Sequence, residues 1–171
     1  FENPELVYPV IVDPAVTLGV WFDSYVSSAY PTTDYQSATE LLVGTPDAGA
    51  SKYRAFLNFS SSAWEGTDII SASLKLYLNY SWSCTARSFT VYANVPVSSS
   101  LRWGNQPAPY SSGSVTKSAA AGYSSACAST YVTTDVTPTV SYLADVTSGT
   151  AGFSIRATNE NDSGGWKRFR S

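Results

Sequence analysis

The sequence predicts an all-β fold of antiparallel strands, and three observations carry that expectation. Residues 70–81 alternate so regularly that two faces can be read from them. Ile70, Ala72, Leu74, Leu76, Leu78 and Tyr80 form one; Ser71, Ser73, Lys75, Tyr77, Asn79 and Ser81 form the other. A strand turns successive side chains to opposite sides, so this pattern predicts one buried and one wet face. At about 3.3 Å per residue the run would reach roughly 40 Å, which suits a central strand of a large sheet open to solvent on one side. Second, strand-like runs recur along the chain with turn signals between them. Third, only one short segment has helical spacing. Eight or nine strands with almost no helix imply a sandwich or barrel, and long connections such as 98–121 fit Greek-key or jelly-roll crossings better than hairpins.

Taken in order, residues 6–12 are apolar around Pro9 and read as an edge strand or lead-in segment. Residues 20–26 set Val20, Phe22, Ser24 and Val26 against Trp21, Asp23 and Tyr25. Residues 41–43 form a short strand, followed by Gly44 and the turn Pro46-Asp-Ala-Gly49. Residues 53–59 place Tyr53, Ala55, Leu57 and Phe59 opposite Arg54, Phe56 and Asn58. Further strands are expected at 69–82, 88–95, 131–136, 151–158 and 166–170. A helix of one or two turns is predicted from Thr137-Pro138, an N-cap and first-turn proline, with Val140 and Leu143 on one face. The Ser/Ala/Gly-rich stretch 111–125 reads as a mobile surface loop.

The 171 residues are enough for one domain with a full core. High aromatic content (14%) with low charge (13%) suits a β-rich extracellular protein. A net charge of -3 argues against nucleic acid as partner. No apolar run approaches the ~18 residues that span a bilayer, and the chain reads as a mature fragment or a module of a larger multidomain protein. Two cysteines, Cys84 and Cys127, follow similar turns, Tyr80-Ser-Trp-Ser-Cys84 and Tyr123-Ser-Ser-Ala-Cys127. The even count predicts a disulfide and an oxidising compartment, the alternative being two unrelated buried thiols.

Chemistry is poorly provided for. The absence of histidine excludes Ser-His-Asp and Cys-His arrangements. Ser114-Val-Thr-Lys117 matches Ser-x-x-Lys but stands in a polar loop without companion motifs. Carboxylates at Asp23, Glu40, Asp135 and Glu160 leave a glycosidase-type pair open, with Asp23 and Glu160 the first pair to compare. The segment Asn159-Glu-Asn-Asp-Ser-Gly-Gly165 faintly echoes a calcium loop but lacks its closing acid, so it reads as a polar turn. No metal and no cofactor are expected.

Several segments occur in an order that is informative. They are Asp23-Ser-Tyr-Val26, Thr33-Asp-Tyr-Gln36 with Leu42-Val-Gly44, Arg54-Ala-Phe-Leu-Asn-Phe59 and Ser71-Ala-Ser-Leu-Lys-Leu-Tyr77. Then follow Trp103-Gly-Asn-Gln-Pro107, Asp135-Val-Thr137, Gly152-Phe153 and Arg168-Phe-Arg-Ser171. Together they resemble the DNRLRE domain, a bacterial extracellular module related to family 96 carbohydrate-binding modules. The cysteine contexts and Trp166-Lys-Arg-Phe169 are most similar to versions in actinobacterial secreted proteins, often beside RHS repeats, and Tyr8-Pro-Val-Ile-Val-Asp13-Pro is similar to the segment leading into them. The resemblance implies a single jelly-roll β-sandwich over 19–171 with a lead-in at 1–18, and a non-catalytic role. For some members it implies binding of anionic polysaccharide such as alginate.

Sugar recognition needs flat aromatic faces and polar groups around them. Trp82 and Trp166, at strand ends beside Ser, Gly or basic residues, are the expected platforms; Trp21, Trp64 and Trp103 stand in denser contexts and read as structural. For an anionic glycan, Arg54 and Lys75 should reach the wet face of their strands, and Lys167, Arg168 and Arg170 crowd the last strand, where alternation breaks. These would form a basic patch suited to carboxylates; as solvated charges they would instead protect a sheet edge. The expected role is an extracellular, secreted or cell-surface carbohydrate-binding module whose partner is a polysaccharide or cell-surface glycan. The alternative is a structural or adhesive spacer in a large toxin-like protein. An exposed Trp82 or Trp166 beside a groove favours the former.

Overall fold

The structure is a computed structural model that describes residues 16–171; the apolar run 6–12 and most of the expected lead-in lie outside the described residues. Among the described residues, nine strands form two antiparallel sheets. In chain order they are β1 Phe22–Ser27, β2 Glu40–Val43, β3 Tyr53–Ser60, β4 Ser73–Ser81, β5 Arg87–Asn94, β6 Val115–Ala119, β7 Thr130–Asp135, β8 Thr150–Ala157 and β9 Lys167–Arg170. One sheet has the order β1-β3-β8-β5-β6 and the other β2-β9-β4-β7. The chain changes sheet at every connection except β5–β6, which weaves the two layers together as in a jelly roll.

The core lies between the layers. Tyr25, Ala55, Leu57, Phe153, Ile155, Phe89 and Val91 of the five-stranded sheet face Leu41, Val43, Leu74, Leu76, Leu78, Val132 and Phe169 of the other. Each large side chain removed from water contributes roughly 1.5–3 kcal/mol. The outer face of the five-stranded sheet is roofed rather than wet: Val26 and Phe56 pack under Leu101, Val97 and Trp103 of the segment between β5 and β6. Asn58 pins this roof, donating from Nδ2 to the Val97 carbonyl at 2.7 Å while Oδ1 accepts the Val97 N–H at 3.1 Å. The outer face of the four-stranded sheet has no such cover among the described residues, which leaves exposed Lys75, Tyr131, Arg168 and Arg170 on it.

Four expectations need correcting. The long strand begins at Ser73, and Ile70 lies before it at 69% exposure, because β7 supplies backbone partners only from Ser73 onward. Tyr80 does not share a face with Leu78. The register slips between these two residues, so Tyr80 pairs with Arg168, whose guanidinium sits 5.2 Å from its ring. The stretch 111–125 contains β6, which pairs with β5 through Val91↔Val115 and Arg87↔Ala119; its small residues suit an edge strand as well as a loop. The helix α1, Thr137–Val146, has ten residues, more than the expected one or two turns. Leu143 and Ala144 bury one side of it, while Tyr142 meets Tyr110 at 5.3 Å, so tertiary packing extends what the N-terminal proline begins.

Cys84 and Cys127 form a disulfide. Beside it, Ser81 Oγ accepts the Ala121 N–H at 3.0 Å and lies 2.9 Å from both the Ser83 and Ala121 carbonyls. The loop 121–128 is therefore tied to the end of β4.

Candidate binding cleft

Strand β9 stops early. Its pairing with β4 runs from Ser81 to Leu78, and one residue further Arg170 comes level with Tyr77, its guanidinium 4.6 Å from that ring. Beyond that point β4 continues through Leu76 and Lys75 with only β7 beside it. A cleft of about 420 Å³ opens there, inside the roughly 300–1,000 Å³ range of small-ligand sites. Its lining includes Trp21, Phe22 and Asp23 from the start of β1, Lys75 and Tyr77 from β4, Tyr131 from β7, and Arg170 with Ser171; its floor reaches Leu41, Leu57 and Leu76.

Two aromatic rings and two cations on this wall are ordered by one another. Tyr77 and Tyr131 are cross-strand partners and meet edge to face at 5.0 Å. Lys75 Nζ lies 4.5 Å from the Tyr131 ring, and Arg170 covers Tyr77. Such contacts contribute about 0.5–1 kcal/mol at exposed sites, enough to bias a side chain's position without neutralising it. Neither Lys75 nor Arg170 is ion-paired among the described residues, in contrast to Arg54, Arg87, Arg102 and Arg168. On the other wall, Asp23 accepts a hydrogen bond from Ser171 Oγ at 3.0 Å. Burial holds its carboxyl above the usual range, and the Ser171 bond only partly offsets this. Trp21, 59% exposed, stands at the rim.

The residues singled out from sequence are distributed differently. Lys75 reaches the open face as expected and lines the cleft. Arg168 is exposed on the same face but is engaged by Glu40 at 3.8 Å, a carboxylate that also accepts from Asn79 Nδ2 at 3.1 Å. Arg54 is not on a wet face. Its guanidinium donates to both Glu160 oxygens at 2.7 Å and lies 4.8 Å from the Trp103 ring, beneath the roof of the five-stranded sheet. Lys167 is fully buried: alternation is not broken in β9, and Lys167 takes an inward position level with Phe169. Its Nζ has no hydrogen-bond partner among the described residues, and burial, then the charge of Arg87, pulls it down to about 8.

Of the two expected platforms, Trp166 is 5% exposed and packs edge-on against Tyr53 at 5.0 Å, so its ring offers no open face. Trp82 is 43% exposed, but it lines neither the cleft nor the smaller cavity between 95 and 107. Trp103 and Trp64 do pack structurally, while Trp21, expected to do the same, does not. Tyr77 was legible as a wet-face residue of the alternating run; Tyr131 became its neighbour only through β4–β7 pairing.

Asp23 and Glu160 do not meet. Asp23 borders the space between the sheets, whereas Glu160 binds Arg54 on the far side of the five-stranded sheet. The polar segment 159–165 closes on itself: Asn159 Oδ1 accepts the Asn161 N–H at 3.0 Å, Asp162 Oδ1 accepts the Gly164 N–H at 2.8 Å, and Asp162 faces Arg87 at 3.6 Å.

Among the described residues, the two-layer sandwich carries an open cleft lined by aromatic and cationic side chains. The chain belongs to carbohydrate-binding module family 96, whose profile matches residues 14–170. It is also similar to the tRNA nuclease WapA of Bacillus subtilis and to the tRNA3(Ser)-specific nuclease WapA of Bacillus spizizenii, 30% identical over 122 residues in each case. That stretch is 63% of this chain and 5% of either nuclease.

Proposed function

We propose that the chain is a non-catalytic, extracellular carbohydrate-binding module of DNRLRE type, a single domain with its sandwich over 19–171, and that it binds an anionic polysaccharide in the cleft between β1, β4 and the end of β9. The observation that carries this reading is a pair of cations without ion-pair partners among the described residues, Lys75 over the Tyr131 ring and Arg170 over the Tyr77 ring, at a cleft of ligand size. Aromatic rings suit the apolar faces of sugars, and the cations suit carboxylates. The disulfide is compatible with an oxidising, extracellular setting.

A glycan array that includes uronic-acid polymers tests the reading. Binding to acidic glycans, lost in Lys75→Ala combined with Arg170→Ala, supports it; a correctly folded domain that binds none contradicts it. One observation favours a spacer role instead: the WapA nucleases are far longer than the stretch they share with this chain. A spacer would bind no glycan.

A further inference from the structure

The cleft holds an acid as well as two cations, and they do not neutralise one another. Asp23 makes no ion pair with Lys75 or Arg170 among the described residues, although all three border the same cleft. Its Oδ1 is occupied by Ser171 Oγ at 3.0 Å, and Oδ2 has no hydrogen-bond partner among the described residues. The half-buried carboxylate thus keeps one oxygen without a protein partner among the described residues, on a side chain that lines the same cleft as the cations of β4 and β9. A ligand carrying only negative charge would gain from Lys75 and Arg170 but lose against Asp23. A ligand that offers a hydroxyl to one wall and an acid to the other satisfies both.

We propose that Asp23 is a specificity-determining residue that accepts a hydrogen bond from a sugar hydroxyl, while Lys75 and Arg170 take the acid group of the same or the next ring. The inference rests on the carbohydrate-binding reading above. It assigns the cleft to hydroxyl-bearing uronates in preference to polyanions whose hydroxyls are replaced or masked. A hydrogen bond to a charged acceptor in a partly desolvated site discriminates by roughly ten-fold or more against an analogue lacking the donor.

Calorimetric titration of the full chain with galacturonate, glucuronate and mannuronate tetramers, and with their 2-deoxy and 3-deoxy forms, tests this. The wild type should bind at least one parent tetramer about ten-fold more tightly than one of its deoxy forms. Asp23→Ala should bind that parent and that deoxy form within two-fold of each other, and Asp23→Asn, which keeps a neutral amide acceptor, should show a smaller preference than the wild type, with cooperative urea unfolding verifying that each variant is folded. A wild type indifferent to hydroxyl removal overturns the role of Asp23 without any variant, and leaves the carbohydrate reading standing. Variants that keep the wild-type preference overturn it equally. Absence of wild-type binding to all three parents overturns both the inference and the reading beneath it.

Discussion

Replacing Lys167 with Met removes a buried amine that nothing in the described structure compensates. Lys167 is fully buried, its Nζ has no hydrogen-bond partner, and its nearest charge influence is the like charge of Arg87. The fall from the ordinary 10.5 to about 8 corresponds to about 3 kcal/mol favouring the neutral amine in the folded state. The folded protein therefore releases its proton near pH 8, while the unfolded chain keeps it until about 10.5. Between those limits the unfolded state binds more protons, so stability rises with pH; below pH 8 both states are protonated and the penalty is fully present. Tyr25 sets the upper limit of a clean experiment. Burial pushes its hydroxyl up to about 12, so the unfolded state ionises first above pH 10 and stability falls there. Urea unfolding at pH 7, 8, 9 and 9.5, with the disulfide intact, should show the wild type gaining about 2 kcal/mol between pH 8 and 9.5. Lys167→Met should lack that gain and be more stable than the wild type at pH 7, by up to about 3 kcal/mol. Parallel pH profiles for the two proteins, or a variant destabilised at pH 7, would refute the reasoning.

Reducing the Cys84–Cys127 bridge, whose partners are 43 residues apart, should lower stability by about 4 kcal/mol in urea titrations; a change under about 1 kcal/mol would show that the clipped loop is ordered without it. Arg54→Ala strands Glu160 under the β5–β6 roof and should cost about 3 kcal/mol in the same assay, with glycan affinity unchanged once the variant is folded. Gly122→Ala should destabilise severely, measured as a large drop in thermal midpoint, because a Cβ there would stand 1.8 Å from the Asn79 carbonyl oxygen at a backbone φ of +77°. Affinity for an acidic polysaccharide should fall as salt rises, and the slope should flatten in Lys75→Ala; salt-insensitive binding would place stacking ahead of charge.

Strand pattern and turn residues were legible in the sequence because each depends on neighbours in the chain, and the disulfide because two cysteines allow a single pairing. Alternation along 70–81 placed Leu74, Leu76 and Leu78 in the core and Lys75 and Tyr77 on the wet face. It failed at Tyr80, where a register slip set by β9 overrides parity. Lys167 failed for a related reason: charge suggested solvent, but its place opposite Val43 and Ser81 points it inward. Arg54 faces away from the core as its parity required, yet the segment 95–107 covers that face, and no local pattern in either stretch signals that they pack together. The cleft was the least legible feature. It arises where β9 ends beside β4, so it joins Trp21, Asp23, Tyr131 and Arg170 from three distant segments, and of the residues expected to form the basic patch Lys75 and Arg170 line it.

Nuclear magnetic resonance titration of the isotopically labelled domain with uronate oligosaccharides tests the binding cleft most directly. Shifts should concentrate on the Trp21 indole, on Lys75 and Tyr77, on Tyr131 and on Arg170, and should saturate together with a single affinity. Shifts centred instead on Trp82 and Tyr123 near the disulfide, or no saturable shifts with any acidic or neutral oligosaccharide, would contradict the assignment of this cleft as a carbohydrate site.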